Sequence, residues 1–237
     1  MKKVFRVPKE ETLRRLFDVV CATGGLMILS PLFLVLAVLI LLCDGSPVFF
    51  RQTRVGQNGK TFRIWKFRTM RRGEPGCAIT AAGDSRITRT GALLRKRKLD
   101  ELPQLINVLK GDMSLVGPRP EVPQYVLAGT PMWEATLRVR PGITDLASLL
   151  YRAEEEILSR AFDTEHFYRE HVLPSKLLLN LAYIRTRSFK QDLKLIWLTI
   201  RYTLVPERFN EELIHKTLNT GGAHDRYLHP ISSAVNR

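Results

Sequence analysis

Residues 93–120 read LLRKRKLDELPQLINVLKGDMSLVGPRP, and the rest of the chain is organised around them. Arg95, Lys96, Arg97 and Lys98 form an unbroken cationic run. The adjacent carboxylates Asp100 and Glu101 follow, and Pro118-Arg119-Pro120 closes the stretch. Cations beside an acidic pair suit an anionic substrate held with a divalent metal. In such a site one carboxylate can attack and the other can bind the ion. Pro103 is tolerated in a first helical turn, so a helix is expected to begin at Leu99 or Asp100. The positive helix end would then face both carboxylates and lower the pKa of Asp100. Taken alone, the two residues are explained first by ordinary helix capping.

Outward from this stretch, the charge balance narrows the partners. The 237 residues carry a formal net charge of +14. That balance fits nucleic acid, an anionic membrane face or phosphorylated substrates. Phe62 and Trp65 are interleaved with cations, but no nucleic-acid recognition signature accompanies them, so nucleic acid is not expected as a partner. The three cysteines, Cys21, Cys43 and Cys77, are odd in number and widely spaced, and suggest neither a disulfide framework nor a zinc site. A reduced, cytosol-facing protein follows.

Residues 19–43 contain 25 positions without a charge. As one helix they would extend about 37 Å, enough to cross a bilayer. The run is too long for a cleavable signal peptide and has no small-residue exit. Both flanks are basic, with six Lys/Arg in residues 1–15 and eight in residues 51–72. A simple spanning helix favours positive charge on one side only. Ser30-Pro31 lies mid-run, where proline removes a backbone hydrogen bond and promotes a kink. Two topologies remain open: a re-entrant helix that returns to the same face, and a kinked single-pass anchor.

Residues 45–70 read as strand, turn, strand, with Gln57-Asn58-Gly59-Lys60 as the turn. Phe62, Ile64 and Phe67 are assigned to an apolar face of the second strand, and Arg63, Lys66 and Arg68 to a polar one. Residues 71–89 are expected as loop, and 88–97 and 123–139 as helix. Residues 140–152 should form a turn and a short extended segment. Further helices are expected over 153–158, 163–172, from Pro174 onward and over 189–204. The last carries Leu193, Ile196, Trp197, Ile200 and Leu204 on one face, suited to a membrane surface or to the core. Residues 220–237 are expected as a loose tail.

FRIWKFRTM, LDELPQLINVLKGDMSLVGPRP and RPGIT occur in that order after a basic-flanked apolar segment. In this the chain resembles the bacterial sugar transferases, the monotopic polyprenyl-phosphate phosphoglycosyl transferases, over about residues 13–204. It looks like their minimal catalytic unit. The resemblance implies an α+β fold: a mainly helical membrane-associated domain with a small β-hairpin, a re-entrant helix kinked at Ser30 and Pro31, and surface amphipathic helices. It divides the chain into a membrane helix (1–44), a cytosolic catalytic domain (45–205) and a C-terminal segment (206–237).

The implied reaction moves a phosphosugar from a UDP-sugar to undecaprenyl phosphate, releasing UMP, in exopolysaccharide, capsule, O-antigen or other glycoconjugate assembly. Asp100 matches the family's nucleophile. Glu101 matches its dyad partner and the ligand of Mg²⁺. Lys66, Arg95 and Arg119 match positions at the active-site phosphates. The implied setting is the cytosolic face of the inner membrane, among membrane lipids, and it admits a homodimer. One departure stands out. Many members follow RPGIT with Gly-Trp-Ala-Gln-Val-Asn-Gly-Arg, whereas this chain has Asp145-Leu146-Ala147-Ser148-Leu149-Leu150-Tyr151-Arg152. Arg152 alone keeps a phosphate or nucleotide contact in view, and the sugar is left open. A membrane-tethered scaffold binding anionic lipid is the competing reading, and it needs no dyad.

Overall fold

In the computed structural model, residues 9–73 and 79–218 are described. The expected tail and Cys77 lie outside them. The apolar run becomes one helix, α1 (Lys9–Asp44), which is long and apolar enough to cross a membrane. The helix continues through Ser30-Pro31, the expected point of a break. The local chemistry explains the continuity. Pro31 has no N–H to give the Met27 carbonyl one turn back, and the Ser30 hydroxyl donates to that carbonyl instead, at 2.8 Å.

Both ends of α1 are tied to the same body. Near its start, Arg14 Nε donates to Asp192 Oδ2 at 2.6 Å, and Arg15 donates to the Val108 and Leu109 carbonyls. These two cations of the basic flank are therefore engaged within the protein. Near its end, the Arg68 guanidinium donates to the carbonyls of Asp44 and Gly45, satisfying orphan acceptors of the helix terminus. Arg68 is accordingly buried, contrary to its expected solvated position. Between these ties, Met27, Ile28, Leu34 and Val35 are exposed.

Strands β1 (Phe49–Val55) and β2 (Thr61–Phe67) pair antiparallel, with Gln52 opposite Ile64. The turn between them uses Asn58 and Gly59 at positive φ, as its sequence requires. Alternation along β2 corrects one assignment. Phe62, Ile64 and Lys66 share a face, so Lys66 points inward with the apolar residues. Phe67 occupies the opposite face, where it packs with Leu36 and Ile40 of α1 and with Leu94 of α2 (Arg89–Lys96).

Helix α3 (Gln104–Lys110) packs against α1 and β2. Its Asn107 accepts from Trp65 N at 3.0 Å and donates to the Arg63 carbonyl at 2.8 Å, pinning α3 to the strand that carries Lys66. Strands β3 (Ser114–Val116) and β4 (Gly142–Thr144) form a parallel pair. Their backbones meet at Gly117 and Gly142: a Cβ on Gly142 would lie 2.1 Å from Gly117 N. Only glycine permits that approach.

Residues 123–139 depart from the expected single helix. A 3₁₀ turn at Pro123–Tyr125 is separated from α4 (Pro131–Leu137) by a segment containing Gly129 at positive φ. The short extended segment expected within 140–152 is β4, but the residues after it form α5 (Leu146–Leu150). α6 (Glu154–Ser159), α7 (Thr164–Phe167), a π-turn at Tyr168–Val172 and α8 (Leu173–Thr186) follow. α9 (Phe189–Leu204) and α10 (Glu211–Leu218) complete the core around Leu146, Leu158, Leu179, Leu195, Leu198 and Ile214. The core side of α9 is Leu195, Leu198 and Tyr202. Leu193, Trp197, Ile200 and Leu204, on the apolar face read from the sequence, are exposed.

Candidate active site

Lys98 adopts a left-handed conformation and starts a 3₁₀ turn over Leu99–Glu101. α3 begins only after it, with Pro103 at the N-cap position. Asp100 and Glu101 thus precede the observed start of α3, which lies later than the expected Leu99 or Asp100. A 3₁₀ turn has about three residues per turn, so consecutive side chains diverge by about 120°. Leu99 packs against the cluster of Leu36, Ile40 and Phe67, which seats the turn on α1. The two carboxylates enter different surroundings.

Glu101 is clasped by cations. Lys66 Nζ donates to Oε1 at 2.8 Å, and the Arg119 guanidinium forks onto both oxygens, with Nη1 to Oε2 at 3.2 Å. Burial alone would raise its pKa, but Arg119 and Lys66 together pull it well below the usual carboxylate range. Burial lowers the pKa of Lys66, against the pull of Glu101. Asp100 is buried, and its Oδ1 has no hydrogen-bond partner. Its pKa is raised, first by burial and then by the charge of Glu101, against Lys66, Lys98 and Arg95. This reverses the expected lowering of the Asp100 pKa, because burial outweighs the cations and the helix end beside it.

All six expected site residues (Lys66, Arg95, Asp100, Glu101, Arg119 and Arg152) line one cleft of about 1320 Å³. Lys66, Glu101 and Arg119 interlock, with Asp100 beside them in the same turn. Arg95 lies in the wall and pairs with Glu155 at 2.5 Å. Arg152 lies in the wall as well, its pKa lowered by burial. Ser30 and Pro31 are not in the lining, but Leu29 and Leu32 of the same helix are. With Phe17, Leu105, Ile196 and Ile200 they give the cleft an apolar side.

Behind this rim lies a second buried charge group that sequence reasoning misses. Lys176 Nζ meets Glu154 at 2.9 Å, and Glu121 accepts from the Tyr168 hydroxyl at 2.7 Å. A lone lysine in the apolar run LPSKLLLN is the available signal. Asp145, too, reads from the sequence only as part of a divergent stretch. It is buried, accepts from Ser148 N at 2.6 Å as the cap of α5, and accepts from Arg119 N at 3.0 Å.

The profile of one protein family, described as bacterial sugar transferase, matches residues 9–206. The chain belongs to the bacterial sugar transferase family. Among its relatives, the uncharacterized sugar transferase EpsL of Bacillus subtilis (strain 168) is 40% identical over 82% of this chain and 89% of its own length. A UDP-glucose:undecaprenyl-phosphate glucose-1-phosphate transferase of Caulobacter vibrioides is 40% identical over 79% of this chain and 68% of its own. The enzyme of the same name in Escherichia coli (strain K12) is 37% identical over 79% of this chain, which spans only 39% of that longer protein. The family match spans every described residue that lines the cleft, from Phe17 to Leu204.

Proposed function

We propose that the chain is a phosphoglycosyl transferase that moves a phosphosugar from a UDP-sugar to undecaprenyl phosphate and releases UMP. One observation carries the reading: an ionised, doubly clasped Glu101 stands beside a buried Asp100 whose Oδ1 is unpartnered, in a cleft cationic on one side and apolar on the other. The names of the relatives from Caulobacter vibrioides and Escherichia coli support the donor and acceptor classes.

In this reading an Asp100 oxygen attacks the β-phosphorus of the UDP-sugar. The bond from that phosphorus to the bridging oxygen breaks, and UMP leaves with the electron pair. An oxygen of undecaprenyl phosphate then attacks the same phosphorus. The Asp100–phosphorus bond breaks, restoring the carboxylate and giving the lipid diphosphate-linked sugar. Lys66 and Arg119 orient Glu101 and offset charge on the phosphates, and Arg95 and Arg152 approach them from the wall. For Arg95 this means exchanging Glu155 for a phosphate. Mg²⁺ is commonly held by one or two carboxylates with substrate phosphates completing its shell. An ionised Glu101 fits that donor set with the substrate phosphates, and no protein cage of three or more ligands occurs among the described residues. When bound there, the ion would neutralise the diphosphate. The prenyl chain would lie along the apolar side between α1 and α9, at the cytosolic face of the membrane.

The test is a donor labelled at its β-phosphate. The label should remain on the purified chain when acceptor is omitted, map to Asp100, and be absent from Asp100→Asn. Undiminished turnover by Asp100→Asn would sink the reading. UMP release over a panel of UDP-sugars, including UDP-glucose and UDP-N-acetylgalactosamine, identifies the sugar.

A further inference from the structure

The turn that presents Arg119 has few ways to be held. Pro118 and Pro120 lack N–H groups, so the Arg119 N–H is the one backbone donor among these three residues. That N–H goes to Asp145 Oδ2 at 3.0 Å. The two neighbouring carbonyls are taken as well: Pro118 O accepts from Gly142 N at 3.0 Å, and Pro120 O from Arg54 at 3.1 Å. Three bonds therefore fix the turn, and the one at Arg119 itself comes from a side chain.

Asp145 is 0% exposed and is absent from the lining of the cleft, so it does not touch a substrate held there. Its two oxygens do separate jobs. Oδ1 accepts from Ser148 N and starts α5, which sends Ser148, Leu149 and Tyr151 into the cleft wall. Oδ2 holds Arg119, whose guanidinium forks onto Glu101. We propose that Asp145 is a positioning residue: it sets Arg119 on Glu101 and keeps the α5 wall in register with the turn. The inference rests on the proposed function only in taking Arg119 and Glu101 as parts of the reaction site. It assigns a role within the stretch where this chain departs from many members of its family.

The alternative is that Asp145 is a helix cap and nothing more, and substitution separates the two. Asn and Ser rank with Asp as N-caps. Asn has a single acceptor oxygen, so it can serve Ser148 N but would turn an amide N–H₂ towards Arg119 N. Ser can cap but is too short to serve both groups. The full chain is purified in detergent and assayed by UMP release with undecaprenyl phosphate and whichever UDP-sugar of the panel the wild type uses.

Asp145→Asn and Asp145→Ser should each lower kcat at least about 10-fold while the thermal midpoint stays close to wild type. In an Arg119→Lys background, whose head group cannot fork onto Glu101, the further loss should shrink below about 3-fold, because coupled residues are not additive. A purely structural role would cost the same factor in both backgrounds, and that result overturns the proposal. So does wild-type kcat in either single variant. A wild type that releases UMP from no UDP-sugar overturns the functional reading, and this inference with it.

Discussion

Lys66 Nζ and Glu101 Oε1 lie 2.8 Å apart, joining the inward face of β2 to the turn that carries the acidic pair. Arg119 meets the same carboxylate, so Glu101 has two cationic partners and Lys66 has one anionic partner in the site. Replacing Lys66 by Met keeps the volume and removes the charge. Glu101 keeps Arg119, so the fold should lose only about 1–3 kcal/mol, at the level of one charged hydrogen bond. Turnover should fall at least about 10-fold, because the carboxylate loses one of the contacts that orient it. UMP release and thermal unfolding of Lys66→Met measure the two effects separately.

Arg14 and Asp192 join the start of α1 to α9 through a bond of 2.6 Å between two largely buried side chains. The Tyr183 hydroxyl donates to the other Asp192 oxygen at 2.5 Å, and Phe17 and Phe189 meet edge-on at 5.3 Å beside it. Arg14→Met leaves a buried carboxylate without its cation, a change that costs about 3–5 kcal/mol. For a domain of this size that corresponds to a fall of roughly 6–20 °C in the unfolding midpoint. Differential scanning fluorimetry in a mild detergent checks it, with the exposed pair Arg169–Glu165 as the control that should shift little.

The pattern of legible and hidden features has a physical cause. The apolar run, the hairpin turn at Asn58-Gly59 and the acidic pair announce themselves through local chemistry, and the structure contains all three. The sequence pattern puts Lys66 on the wrong face because Phe67 resembles an inward residue. Its ring instead fills a second cluster against α1, and a strand with two buried faces has no single apolar side. The direction of the Asp100 pKa is hidden because a helix dipole is a local inference, whereas burial depends on the packing of α1, β2 and α3 together. Asn107 and Asp145 act on backbone atoms 44 and 26 positions away. No spacing rule reaches such partners.

Tyr151 offers a test of how dry the α5 wall is. Burial, aided by the charge of Glu154, pushes its phenol from 10.0 to about 12. The folded state therefore holds the phenolic proton more tightly than the unfolded state. Its contribution is fully present below pH 10, the unfolded value, and is lost as pH rises towards 12. A rise of that size corresponds to about 2–3 kcal/mol. Wild type should thus lose more stability than Tyr151→Phe between those pH values, by about that amount. Denaturant titrations of both proteins at pH 9 and near pH 12 give the difference, and parallel losses would show that the phenol is hydrated.

The two ends of α1 make the sharpest statement about topology. Arg14 is bound to Asp192, and at the other end the Asp44 carboxylate accepts from the Thr88 hydroxyl at 3.0 Å while its carbonyl accepts from Arg68. A helix crossing the bilayer would separate its two ends by a hydrocarbon layer about 30 Å thick, and one set of charged contacts would have to break. Keeping both sets requires both ends on one side, an arrangement that two basic flanks also favour. Cysteines introduced singly at Glu10 and Lys60, in a chain cleared of Cys21, Cys43 and Cys77, test this with a membrane-impermeant maleimide. Both should react in inside-out vesicles and neither in intact cells. Labelling of Glu10→Cys in intact cells would show that α1 spans the membrane and that the Arg14–Asp192 bond does not form there.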